Sequence, residues 1–348
     1  MLIHLINIRS SIVKNNELIH AVYNLCSYKY AWKADVFSWK PTSNNAYNQI
    51  KELTFYLVCK YPVPVFFYQV WIDRNQREYI PWFIKLAQGL GVKTFNKMPI
   101  VMTKKMRHYF LLAPDKFSID EAIRYAQVKG LGGDENLALA IVGSRLGFNN
   151  FENDEFWSRF IQILIAGGMF NLDKISELID YLREQLRIDI SYNLKGRTLQ
   201  SLLRQSDNWH HAISRASAKL NTKWLPSRIN EFSLVIKKDD DKIAYYIIEI
   251  LNAKDLMKEG RSMGHCVGSY ATYCVRGRTA IFSMRKYING IIDARLATIE
   301  VHLSDKRIVQ AKAKHNMPIS EKAQEILTLW MEENLSLIHI SEPTRRHL

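Results

Sequence analysis

The stretch Arg295-Leu296-Ala297-Thr298-Ile299-Glu300-Val301-His302-Leu303-Ser304-Asp305-Lys306-Arg307-Ile308-Val309-Gln310-Ala311-Lys312-Ala313 reads as two strands joined by a polar hairpin turn. Successive side chains of a strand point to opposite faces, so Thr298, Glu300 and His302 share one face while Ile299 and Val301 share the other. Gln310 and Lys312 likewise oppose Val309, Ala311 and Ala313. Further back, 232–236, 243–251 and 279–285 have the same strand character, with turns at Asp239-Asp240-Asp241 and Asn289-Gly290 between them. A helical stretch over about 254–275 crosses between the second and third strands. Pro226 marks the boundary before them. The pattern predicts an α+β C-terminal domain over 226–334, with a largely antiparallel sheet and a crossing helix.

Upstream the periodicity is helical. Ser118 and Glu121 have capping-box spacing, Asp134 and Asp154 stand where helices to about Arg145 and Ala166 begin, and Asn171 precedes Ile175, Leu178, Ile179 and Leu182 at helical intervals. One more helix, 198–220, carries Trp209-His210-His211, read as a surface contact or core filling. Residues 111–225 therefore read as a helical array. Residues 1–110 are basic, aromatic-rich and mostly helical, and Pro62 and Pro64 interrupt them. In 335–348 the string Ser336-Leu337-Ile338-His339-Ile340-Ser341-Glu342-Pro343-Thr344-Arg345-Arg346 resembles translated sequencing-adapter read-through. It is read as a non-native tail, with the natural C-terminus cut near Asn334.

Composition narrows the function classes. The chain has 348 residues, 47% of them hydrophobic and 24% charged, as expected for a folded soluble protein. Four cysteines without a CxxC pair suit a reducing cytoplasm. No signal peptide or membrane span is evident, so the expectation is a cytoplasmic protein without a membrane partner. The net charge of +14 is uneven: residues 1–110 carry 15 Lys and Arg against 5 Asp and Glu, residues 111–250 carry 18 against 19, and residues 251–330 carry 13 against 7. Two basic lobes flanking a neutral middle favour a polyanion, nucleic acid above all. GxxxxGK[ST], HExxH and GxSxG are absent from the sequence. The histidines and cysteines lack paired zinc spacing, so neither metal nor cofactor is expected.

The candidate chemistry gathers at Gly264-His265-Cys266-Val267-Gly268-Ser269-Tyr270. If His265 and Cys266 open a helix running to Val275, its free amide groups and the nearby Arg261 and Arg276 lower the thiol pKa. Adjacent helical residues point about 100° apart, so His265 is badly placed as the direct base for Cys266. The alternative is a buried stripe of Cys266, Tyr270 and Cys274. A polar strand face bearing Ser283, Arg285, Glu300, Gln310 and Lys312 is either a binding floor beside that turn or a solvated outer face.

The blocks Glu259-Gly260-Arg261, His265-Cys266-Val267-Gly268-Ser269-Tyr270, Gly277-Arg278, Ile281-Phe282-Ser283-Met284-Arg285, Ala297-Thr298-Ile299-Glu300, Gln310-Ala311-Lys312 and Asn316 resemble the PcfJ-like family. The resemblance covers most of 50–330 and is strongest over 250–316. Gly264 stands where a bulkier residue is expected. The resemblance implies His265, Cys266, Gly268, Tyr270, Ser283, Arg285, Glu300, Gln310 and Asn316 as site positions. It further implies an accessory role in conjugation or other mobile-element DNA transfer and processing, with DNA favoured as partner and proteins of a transfer or phage system possible. Two other readings compete with nucleic-acid binding. One is an enzyme with Cys266 as nucleophile and His265, Glu300 or Gln310 assisting. The other is a protein–protein adaptor.

Overall fold

A computed structural model describes residues 1–148, 151–219, 222–238, 241–264, 266–304, 306–314, 317–334 and 339–340. The chain divides into two compact units, Met1–Val142 with Leu146–Ile161 and Gly143–Arg145 with Gln162–Leu348. This division falls inside 111–225, the stretch read from sequence as one helical array.

The first unit is built of short helices: α1 (Leu2–Asn7), α2 (Ile19–Ser27), α3 (Ala46–Val58), α4 (Gln69–Ile72), α5 (Ile80–Ala87), α6 (Lys104–Leu111), α7 (Ile119–Leu131) and α8 (Glu135–Val142), with the start of α9 (Asp154–Ala166). Their stops and starts are chemical. The amide of Glu121 donates to Ser118 Oγ at 3.3 Å and the amide of Ser118 donates to Glu121 Oε2 at 2.7 Å, the reciprocal cap expected for α7. Asp134 accepts from the Leu137 amide at 2.8 Å and caps α8. That helix stops at Val142 rather than running to Arg145. Asp154 opens α9, but its carboxylate turns to the buried Arg124 (3.0 Å) and to Gln127, so it works as a counter-charge. Phe66, Phe67, Trp71, Phe83 and Phe110 are fully buried and meet mostly edge to face, as with Phe66 and Phe110 at 5.6 Å between centroids.

The second unit carries α10 (Lys174–Ile188), α11 (Leu199–Lys219), β1 (Phe232–Lys238), β2 (Asp241–Glu249), α12 (Ala253–Met263), α13 (Ala271–Val275), β3 (Thr279–Ile288), β4 (Ile291–His302), β5 (Arg307–Lys312), α14 (Glu321–Glu333) and β6 (His339–Ile340). The sheet runs β1-β2-β3-β4-β5-β6 with antiparallel pairs from β1 to β5; β6 joins β5 in parallel. The α+β architecture expected from the sequence is present. Within the expected tail, 335–338 and 341–348 lie outside the described residues.

Phe282, Met284, Ala297, Ile299, Val301, Ile308 and Ala311 make one sheet face and pack on Ala323, Ile326, Leu327 and Trp330 of α14. Trp330 closes this core: its ring lies 4.9 Å from that of Phe282, and its Nε1 donates to the Asn230 carbonyl at 2.7 Å. Of three register shifts in the described sheet, two set the details. One extra residue, Leu296, separates the pairs Met284–Ala297 and Arg285–Arg295. Another, Val309, separates Glu300–Gln310 from Val301–Ile308, so Ile308 and Ala311, three positions apart, both join the core on α14.

The single helix expected over 254–275 is three pieces. Asn252 caps α12 through the Asp255 amide at 2.8 Å, and α12 ends at Gly264, whose φ of +70° is the left-handed region that glycine adopts without strain. A 3-10 turn, Val267–Tyr270, follows and leads into the short α13. Gly260 is buried within α12. Among the described residues no helix is long and apolar enough to cross a membrane.

Candidate functional site

The polar face of the sheet is where the sequence-derived candidates gather, and it is buried. The strand register aligns Ser283, Thr298 and Lys312 across β3, β4 and β5, and one step along it aligns Ile281, Glu300 and Gln310. Ser283, Thr298 and Glu300 are only 0%, 6% and 2% exposed. A solvated outer face, the bland reading of this alternation, is therefore excluded. Alternation reports which residues share a face; only the helices packed on that face decide whether water reaches it.

Glu259 reaches that face from α12. Ser283 Oγ donates to its Oε1 at 2.7 Å, Thr298 Oγ1 donates to the same oxygen at 3.1 Å, and Arg295 Nε donates to Oε2 at 2.9 Å. Arg285 stands 4.0 Å from Oε2 and donates through Nε to Ser283 Oγ at 3.0 Å. One carboxylate thus joins two hydroxyls and two guanidiniums. In an unbroken strand Arg295 and Thr298 would face opposite ways. The bulge at Leu296 turns Arg295 onto the Thr298 side, so both meet Glu259.

A second cluster lies one step along the sheet. Arg145 is an ion-pair partner of both Glu300 and Asp180, the latter at 3.3 Å. The Tyr270 hydroxyl donates to Asp180 Oδ2, and Gln310 Nε2 donates to Glu300 Oε2 at 3.0 Å. The guanidinium also lies 5.7 Å from the Tyr270 ring centre and 5.8 Å from that of Tyr273, where the ring faces favour a cation. Burial pulls the Arg145 guanidinium down, but Asp180 and Glu300 outweigh it and hold its pKa above the ordinary range. Burial pushes the Glu300 carboxyl up against the opposing pull of Arg145, and burial followed by the Asp180 charge keeps the Tyr270 phenol protonated.

Cys266 lies just before the 3-10 turn and is partly exposed. Its thiol is pushed up to about 12, first by burial and then by the Glu177 carboxylate, with Lys174 opposing. Burial and an acid brought from α10 both work against the reactive thiolate read from a helix N-terminus. Lys174 Nζ donates to Glu177 at 2.8 Å and to Asp207 at 3.0 Å. His210, read as either a surface contact or core filling, is buried. Its Nε2 meets the Glu177 carbonyl at 3.0 Å and must carry the proton there, leaving Nδ1 to the Ser269 hydroxyl at 2.7 Å.

Cys266 is accordingly expected to alkylate slowly at neutral pH, because thiolate is the reacting form. Its rate should climb about tenfold per pH unit toward the thiol pKa. Mass spectrometry of iodoacetamide-treated protein, with the exposed Cys26 as internal reference, reads this directly. Rapid labelling of Cys266 at neutral pH would restore the nucleophile reading.

Of the positions singled out by sequence, Tyr270, Glu300 and Gln310 meet in the Arg145 cluster, and Ser283 and Arg285 in the Glu259 cluster. Gly268 is buried in the 3-10 turn, and Lys312 is half-buried on β5. His265 and Asn316 lie outside the described residues. Sequence reasoning missed Arg145, Asp180, Glu177 and Arg295 and gave Glu259 no role. Only Glu259, opening the quoted Glu-Gly-Arg block, carried a signal.

Residues 177–327 match the family model described as PcfJ-like protein. The matched span holds Asp180, Glu259, Tyr270, Glu300 and Gln310; Arg145 and Lys174 precede it. No curated protein and no solved structure matches the chain.

Proposed function

Residues 177–327 belong to the PcfJ-like family, and from that premise we propose that the chain binds nucleic acid, as an accessory protein of mobile-element DNA transfer or processing. The observation that supports this reading is the surface of the first unit. Of the 15 lysines and arginines in residues 1–110, 12 are exposed, against 5 acidic residues in the same stretch. Such a surface attracts phosphates and releases their counterions when it binds. The polar clusters of the second unit have a different part in this reading. They hold the PcfJ-like sheet and its covering helices together, since their charged groups are engaged with one another.

The competing reading, an enzyme with Cys266 as nucleophile, meets a thiol pushed up to about 12 and next to a carboxylate. An adaptor role predicts no salt-dependent binding of polyanions.

Fluorescence anisotropy with labelled single-stranded DNA, duplex DNA and RNA across a salt titration tests the proposal. If six or more phosphates are contacted, affinity should fall about 10³-fold between about 50 and 200 mM salt. Affinity that does not change with salt would sink the electrostatic account, and no binding at low salt would favour the adaptor.

A further inference from the structure

The exposed cations of the first unit share its surface with exposed aromatic rings, several of them in direct contact. Lys33 Nζ lies 5.3 Å from the Phe55 ring centre, Lys60 Nζ 5.7 Å from that of Tyr61, and the Arg77 guanidinium 5.6 Å from that of Tyr23. These rings are far from buried: Phe55 is 47% exposed, Tyr61 48% and Tyr23 62%. The first two pairs form one patch. Lys33 Nζ donates to the Cys59 carbonyl, and the Lys33 amide donates to the Leu57 carbonyl at 2.6 Å, which sets Lys33 beside the strand of chain leading to Lys60 and Tyr61.

The Tyr61 ring is also held in place. The amides of Lys60 and Tyr61 both donate to the Ala87 carbonyl, at 2.9 and 3.0 Å. Gly89, at φ +86°, lies so close that a Cβ there would come within 2.7 Å of the ring. Glycine is required at this position both for the backbone angle and for the contact. A ring braced against backbone on one side loses little freedom when another flat group stacks on it.

Half-open rings alone would suit many partners. Rings paired with cations on a surface of this charge suit a polyanion whose bases are free to stack. Duplex nucleic acid keeps its bases inside the helix and offers these rings only its backbone. We infer that the first unit binds single-stranded nucleic acid, with Phe55 and Tyr61 as base-stacking platforms and Lys33 and Lys60 on the adjoining phosphates. This inference rests on the nucleic-acid reading above and narrows it to one class of ligand.

The test uses the full chain with oligothymidine and with a duplex, each followed by anisotropy at one fixed salt concentration. The protein should prefer the single strand. The double variant Phe55→Leu/Tyr61→Leu keeps apolar bulk but removes the ring faces. It should lose about tenfold in single-strand affinity per ring while duplex binding and the salt slope stay unchanged. Lys33→Gln/Lys60→Gln should instead weaken both ligands and flatten the salt slope by about two charges. Circular dichroism of each variant confirms that it has folded, and Tyr23→Leu provides an independent ring at a separate place. Single-strand affinity unchanged in Phe55→Leu/Tyr61→Leu, whatever Tyr23→Leu does, or a preference for duplex, overturns the inference and leaves nucleic-acid binding standing. No binding to either ligand by the unaltered chain overturns both.

Discussion

Arg145→Ala should destabilise the second unit by about 3–5 kcal/mol, the range for removing one partner of a buried ion pair. Asp180 and Glu300 are each only 2% exposed, and the Arg145 side chain is 17% exposed, so water screens this cluster little. Without the guanidinium, two carboxylates remain buried with the Tyr270 hydroxyl and the Gln310 amide as their surviving partners. Hydrogen exchange read on peptides from α10 and β4 should speed up by about a hundredfold or more. Arg145→Lys should fall between, because an ammonium cannot span both carboxylates as a planar guanidinium does. The decisive variant is the triple Arg145→Met/Asp180→Asn/Glu300→Gln, which removes all three charges. It should recover most of the loss, since neutral replacement of a buried ionic cluster is often tolerated. A triple variant no more stable than Arg145→Ala would mean that packing, rather than charge, was lost.

Glu259→Ala should cost about 3–4 kcal/mol. Two hydroxyls and the Arg295 guanidinium lose their common acceptor, Arg285 loses a nearby counter-charge, and the vacated space adds a cavity. The loss is held below the upper end of the range because Arg285 and Arg295 are 22% and 28% exposed and can turn partly toward water. Glu259→Gln keeps the shape and one good acceptor, so about 1–2 kcal/mol is expected. Urea unfolding should show the midpoint falling in the order wild type, Gln, Ala, with the slope unchanged. Equal loss in both variants would make the charge irrelevant and leave volume as the cause.

Particular residues show how far the sequence could be read. The alternation of Thr298, Glu300, Gln310 and Lys312 correctly marked one face of the sheet, because side-chain direction in a strand is a property of the local backbone. The Ser118–Glu121 cap was legible for the same reason, its partners being three residues apart. Arg145 was not legible. It meets Glu300 across 155 positions of sequence, and Tyr270 meets Asp180 across 90. No local pattern encodes such a meeting. Arg295 was hidden for a different reason: the bulge at Leu296 breaks the two-residue period, so simple alternation assigns it to the wrong face.

The Cys266 turn shows both limits together. The sequence rightly marked it as unusual, and the left-handed backbone angle at Gly264 is a local demand that glycine meets without strain. The sequence left the thiol open between a nucleophile and a buried stripe, because its ionisation depends on burial and on Glu177, and both arrive only when α10 and α11 fold over the turn. By itself, then, the sequence determined the helical start, the positions of the strands, the two basic lobes and the PcfJ-like blocks, all matters of short-range geometry or composition. The tertiary structure alone decided that the polar sheet face is covered, that its acids are answered by Arg145, Arg285 and Arg295, and that burial and Glu177 push the Cys266 thiol up. Desolvation and charge pairing act through space, and the chain sets those distances only by folding.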